Sequence, residues 1–222
     1  MAHLDLEEQE QLDQLKHFWR QYGNSITWVL IAVLAAVAGW NLYQYWQRSQ
    51  ATQAAAMYDE VERIAVTGDV AKLERALGDM KDKFATTTYA QQAGLLAAKV
   101  YVDAGKLDAA KGALLWVAEK SSDEGYQAVA RLRLAGVLIE TKSYDEAVKQ
   151  LAGNFHADFA SLAADRRGDV YLAQGKKTEA VAEYLKAYKG LGEGSEYRRL
   201  IDVKLAALGA SVQADQAAGG VK

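Results

Sequence analysis

The residue types in this 222-residue chain that could do chemistry fall in three places: its histidines, one glycine-rich loop and one charged cluster. His3, His17 and His156 are scattered, with no second histidine at metal-ligand spacing and no H-E-x-x-H, so a metal-assisted hydrolytic centre is not expected. His156 lies beside Phe155 and Phe159 and reads as a packing or loop histidine. The run Gly190-Leu191-Gly192-Glu193-Gly194-Ser195 resembles a phosphate loop superficially, yet no strand pattern precedes it and its one charge is acidic; it reads as a turn between helices. There is no cysteine, which excludes thiol catalysis, disulfides and cysteine metal sites. The expectation is a non-enzyme with no catalytic, metal or cofactor residues and no small-molecule substrate.

The charged cluster Asp165, Arg166, Arg167 and Asp169 admits two readings. Asp165 and Asp169 are four residues apart, so on a helix they share a face and could form a ligand-facing acidic edge. The favoured alternative is an ion-pair and hydrogen-bond network joining neighbouring helical hairpins.

The elements that must position these groups are helices. Proline is absent where average usage of about 5% predicts roughly eleven, strong helix formers dominate, and no stretch combines β-branched enrichment with period-two alternation. Beyond Gly68 the chain repeats weakly. Ala110, Ala147 and Ala180 are spaced by 37 and 33 residues, each five residues after a turn position at Gly105, Lys142 or Gly175. Each is preceded twelve residues earlier by Ala98, Ala135 or Gly168, where antiparallel helices would approach most closely. The pattern resembles the tetratricopeptide repeat, whose period is about 34 residues, without its usual early Trp and closing Pro. A poorer hairpin is read over Tyr58 to Ala65 and Val70 to Met80, and a capping helix over Glu196 to Leu208.

In that register the first helices turn Leu95, Lys99 and Val102, then Val129, Leu132 and Ile139, then Leu162, Asp165, Asp169 and Leu172 toward the concave side. Such a mostly apolar groove suits a hydrophobic helix, tail or unfolded segment. An equal alternative is that this chain's own N-terminal or C-terminal helix fills it.

Ahead of the repeats, the 27 residues between Arg20 and Arg48 carry no charge, and Ile26 to Tyr43 is apolar except for Thr27 and Asn41. Eighteen helical residues reach roughly 27 Å, close to a hydrocarbon thickness of about 30 Å. Trp19, Tyr22 and Trp28 at one end and Trp40, Tyr43 and Trp46 at the other are placed as membrane-interface anchors in contact with lipid. Ala32, Ala35, Ala36 and Gly39 form a small-residue face suited to helix packing within the membrane. Ala36-Val37-Ala38 fits a cleavage pattern, but residues 1–25 hold five acidic and two basic side chains, unlike the basic leader of a signal peptide. Leu12, Leu15, Trp19 and Tyr22 suggest an amphipathic helix that Gly23 ends, after which Asn24 or Ser25 caps the membrane helix. Lys16 and Arg20 before the span match Arg48 and Arg63 after it, so the charge count leaves orientation open. Residues 47–222 hold 24 basic and 24 acidic residues, and no basic stripe marks a nucleic-acid partner.

With these pieces placed, the chain resembles the YfgM family of bacterial inner-membrane proteins. The matching stretches are Leu15-Lys16-His17-Phe18-Trp19 with Tyr22-Gly23, Gly39-Trp40, Phe84 to Tyr89, Leu132-Arg133-Leu134-Ala135, Ala164 to Asp169 and Lys204 to Leu208. The tail over 209–222, with its Gln, Ala and Gly, reads as disordered from its composition. The resemblance implies a cytoplasmic N-terminal amphipathic segment over 1–24, a single transmembrane helix over 25–46 and a periplasmic tetratricopeptide-repeat-like α-solenoid over 47–208. It further implies an adaptor that associates with the Sec translocon and with a membrane-anchored periplasmic chaperone of the prolyl-isomerase type, passing emerging secretory chains to folding factors. An envelope scaffold or stress-signalling protein is the alternative.

Overall fold

The computed structural model describes residues 6–210, with side chains from residue 10 onward. Among them every regular element is an α-helix: α1 (Leu6–Thr67), α2 (Val70–Phe84), α3 (Thr88–Asp103), α4 (Leu107–Lys120), α5 (Glu124–Glu140), α6 (Tyr144–Leu151), α7 (Ala157–Ala173), α8 (Lys177–Gly190) and α9 (Glu196–Ala207). The chain divides into two units after Gln50.

In the first unit the helix does not break at Gly23 as the sequence suggests. Gly23 keeps a helical backbone, and the indole of Trp19 closes over it: a Cβ there would stand 3.2 Å from Trp19 Nε1. The glycine is a seat for a ring rather than a cap. Thr27 Oγ1 donates to the Gly23 carbonyl at 2.8 Å and Asn41 Nδ2 to the Val37 carbonyl at 3.0 Å, so both polar side chains of the apolar stretch pair with the helix's own backbone. This helix is long and apolar enough to cross a membrane, and none of its most apolar 18-residue window is buried by protein.

In the second unit the hairpins α3/α4, α5/α6 and α7/α8 follow one another as the repeat predicts. Asp69, Thr87 and Asp123 cap α2, α3 and α5 by accepting the backbone N–H groups of Lys72, Ala90 and Tyr126. The first helix of each hairpin ends in the same way: Lys106 N donates to Tyr101 O at 2.7 Å, Ser143 N to Leu138 O at 2.8 Å and Lys176 N to Tyr171 O at 2.9 Å. This turn requires a left-handed residue before the donor, and Gly105 (φ 69°) and Gly175 (φ 78°) supply it without strain. Lys142 holds the same place at φ 58°. Lys142→Gly is therefore expected to stabilise the domain by about 0.5–1 kcal/mol, read as a higher midpoint in urea with an unchanged slope.

Ala110, Ala147 and Ala180 are fully buried, as are Ala98 and Ala135 to within 2%. A main core runs from Val61 and Leu73 through Leu114, Leu134 and Leu151 to Val170. A second core joins Ala164, Ala180, Tyr184 and Ala187 to Ile201 and Leu205 of α9. The expected tail starts at Gly209, yet Gly209 (φ 73°) and Ala210, whose N–H donates to Leu205 O at 3.0 Å, close α9; residues 211–222 lie outside the described residues.

Candidate functional site

The charged cluster on α7 folds inward. Asp165 is 1% exposed, which removes it as a partner-facing acidic edge; its Oδ1 accepts from Lys204 Nζ at 2.7 Å and its Oδ2 from Tyr197 Oη at 2.6 Å. Asp169 accepts from the same Lys204 Nζ at 2.7 Å, from Tyr184 Oη at 2.8 Å and from Arg166 at 3.2 Å. Arg167 pairs with Glu183 of α8 at 2.8 Å and donates to the Leu151 carbonyl at 2.9 Å. One carboxylate pair thus ties α7 to α8 and α9, and α9 covers this stretch of the expected groove. The inward turn of the cluster has a simple cause: two carboxylates one helical turn apart attract a cation wherever a later helix brings one, and a buried charge persists only when so paired.

The sequence does not announce Tyr184, Tyr197, Lys204 and Glu183 as the partners of these charges: Tyr184 fits the large position of the third repeat, and Lys204 opens a stretch that carries the family resemblance. Their signal was modest: Tyr197 and Lys204 lie seven residues apart on the face of α9 that carries Ile201 and Leu205, polar groups on an apolar stripe. Burial, a hydrogen bond to Asp169 and the negative charge of both carboxylates push the Tyr184 phenol well above its ordinary value near 10. Burial and the bond to Asp165 do the same to Tyr197. Burial alone would raise the Glu183 carboxyl, but hydrogen bonds and charge from Lys186 and Arg167 prevail and hold it below the usual range. Both phenols are raised in the fold, so their contribution is fully present below about pH 10 and is lost as pH rises through the folded values. Tyr197→Phe is expected to cost about 2 kcal/mol at pH 7 and to flatten the loss of stability above about pH 10, measured by urea unfolding across that range.

The rest of the expected groove divides. Lys99, Val102 and Leu132 come together on the wall of a cavity of about 290 Å³, with Ala98, Val137 and Arg166 beside them. Leu95 does not join them: it is 8% exposed and packs in the main core, because α3 turns it toward that core rather than outward. Val129 and Ile139 are half-buried against the same core, Leu162 is half-buried on α7, and Leu172 is 40% exposed. The anchors Trp19, Tyr22, Trp28, Trp40, Tyr43 and Trp46 are all exposed, as are Ala32, Ala35, Ala36 and Gly39. His156 caps α7 and stands in solvent beside Asp158, His17 is exposed, and His3 lies outside the described residues. The loop from Leu191 to Ser195 is the α8–α9 turn, closed by Ser195 N donating to Gly192 O at 3.0 Å.

Comparison with known proteins fits this architecture. The family described as the tetratricopeptide repeat-like domain matches residues 16–210. A protein of Neisseria gonorrhoeae named ancillary SecYEG translocon subunit is 35% identical over 204 residues, 91% of this chain and 98% of the relative. An Escherichia coli protein of the same name is 30% identical over 176 residues, 78% of this chain and 83% of its own length. The Haemophilus influenzae protein of that name is 28% identical over 79% of this chain and 85% of its length.

Proposed function

Since this chain belongs to the YfgM family, with its tetratricopeptide repeat-like domain, we propose that it is a membrane-anchored adaptor at the Sec translocon. The observation that carries the reading is the reach of the likeness. An alignment over 91% of this chain leaves no room to omit either the apolar stretch or the repeats, so anchor and repeat domain belong to one shared design. In this reading residues 25–46 form a single span in the bacterial inner membrane, residues 1–24 lie in the cytoplasm and residues 47–208 in the periplasm. The aromatic residues at both ends of the span sit at the headgroup level, and Ala32, Ala35, Ala36 and Gly39 offer a close-packing face to a neighbouring membrane helix.

The repeat domain binds protein. Its surviving groove, around Lys99, Val102 and Leu132, receives an apolar segment of an emerging secretory chain or of a membrane-anchored periplasmic prolyl-isomerase-type chaperone, and passes the one to the other. No step of covalent chemistry is assigned to it. A photocrosslinker placed in turn at Leu132 and at Ala35 of the full chain in bacterial membranes tests the division of labour. Translocon adducts are expected from Ala35 and periplasmic-protein adducts from Leu132; adducts from Ala35 alone would remove the groove from the account.

A further inference from the structure

The apolar stripe of α1 does not stop where the membrane would. Leu12, Leu15 and Phe18 are 42%, 63% and 49% exposed and share one face of the helix, which continues through Trp19 and Tyr22 into the apolar stretch. Because α1 is unbroken at Gly23, distances along it follow from the helical rise. Leu12 stands roughly 21 Å and Leu15 roughly 16 Å before Ile26, where the continuous apolar stretch begins. The headgroup layer on each side of a bilayer is only about 5–8 Å deep. Tilting the helix by about 40°, the top of the usual range, still leaves Leu12 roughly 16 Å out. Lipid therefore cannot cover these leucines, and a row of exposed apolar side chains on a helix in water calls for a protein partner.

Charge selects which partner. Asp5, Glu7, Glu8, Glu10 and Asp13 outnumber Lys16 and Arg20 in this leader, and Lys16 is already engaged by Asp13 at 3.0 Å. A second parallel copy would set acidic leader against acidic leader. The anionic inner leaflet would repel it likewise. The loops of a polytopic membrane protein on its cytoplasmic side carry an excess of Lys and Arg, the complement of this leader. We infer that the N-terminal segment of α1, with the apolar face Leu12, Leu15 and Phe18 and its acidic approach, is a docking helix for the basic cytoplasmic loops of a polytopic membrane partner. This rests on the topology and the translocon association proposed above, and it places a second contact on the opposite side of the membrane from the repeat groove.

The test uses the full chain and purified SecYEG in lipid nanodiscs. Leu12→Ser/Leu15→Ser is expected to weaken binding by about 10-fold or more. Glu7→Gln/Glu8→Gln/Glu10→Gln is expected to weaken it several-fold and to flatten its salt dependence. Both variants should leave the thermal unfolding of the repeat domain unchanged, and a photocrosslinker at Leu15 should mark cytoplasmic loops of the partner. Variants that bind like the parent, or a Leu15 probe that marks only lipid or a second copy, would overturn the inference while leaving translocon association standing. Failure of the parent chain to bind SecYEG would overturn both.

Discussion

Replacing Lys204 with methionine is expected to destabilise the repeat domain by about 3 kcal/mol, lowering its thermal midpoint by roughly 6–12 °C. The lysine serves two carboxylates at once, with Nζ 2.7 Å from Asp165 and 2.7 Å from Asp169, over the ring of Tyr184. Methionine keeps the apolar stem but leaves Asp165 almost fully buried, with Tyr197 as its remaining side-chain donor. Breaking one member of a buried pair costs about 3–5 kcal/mol; the quarter of the Lys204 side chain that reaches solvent argues for the lower end. The loss should appear first at α9, whose Ile201 and Leu205 complete the second core, as early amide exchange and proteolysis near Glu196. Lys186→Met is the matched control. Lys186 also pairs with a carboxylate, that of Glu183, but its own side chain is 64% exposed, and Arg167 still holds Glu183. Its cost should stay below about 0.5 kcal/mol.

Gly168→Ala is the second large effect, and its sign runs against helix propensity. In an open helix the change gains about 1 kcal/mol. Here the new Cβ would stand 2.5 Å from Tyr184 Cδ1 and 2.9 Å from Cζ. That ring cannot retreat, since it is fully buried and its hydroxyl is held by Asp169. Overpacking of this kind costs about 1–3 kcal/mol, and the lost bond to Asp169 adds to it, so a net destabilisation of roughly 2–4 kcal/mol is expected in urea unfolding. Gly112→Ala on α4, where nothing lies within 4 Å of the added methyl, should instead gain up to about 1 kcal/mol. Equal responses at the two glycines would contradict the packing assigned to Tyr184.

Much of the repeat was legible because its signals are local. A left-handed turn residue five positions before a buried alanine, and a small residue twelve positions before it, are constraints of a single hairpin; they marked Gly105, Lys142, Gly175 and Gly168. The alternation of helices and the apolar stretch were readable for the same reason. The fate of the charged cluster was not, because Tyr197 and Lys204 reach Asp165 from 32 and 39 residues away, through the packing of α9. Gly23 misled because glycine both ends helices and admits rings, and only the position of Trp19 distinguishes the two. Leu95 shares the i, i+4, i+7 spacing of Lys99 and Val102, so the spacing groups it with them, and only the packing of α3 against its neighbours buries it.

These distinctions separate two kinds of charged and apolar residue in one chain. The cluster at Asp165 holds α7, α8 and α9 together, whereas the adaptor reading assigns partner recruitment to the exposed faces of α1 and the cavity beside Leu132. The most direct measurement is affinity isolation of the full chain from bacterial membranes after mild crosslinking, compared with the same chain carrying an unrelated membrane span in place of residues 25–46. The adaptor account predicts that SecY, SecE and SecG are recovered with the parent chain and are strongly depleted with the exchanged span. Recovery of no translocon subunit with the parent chain would contradict it.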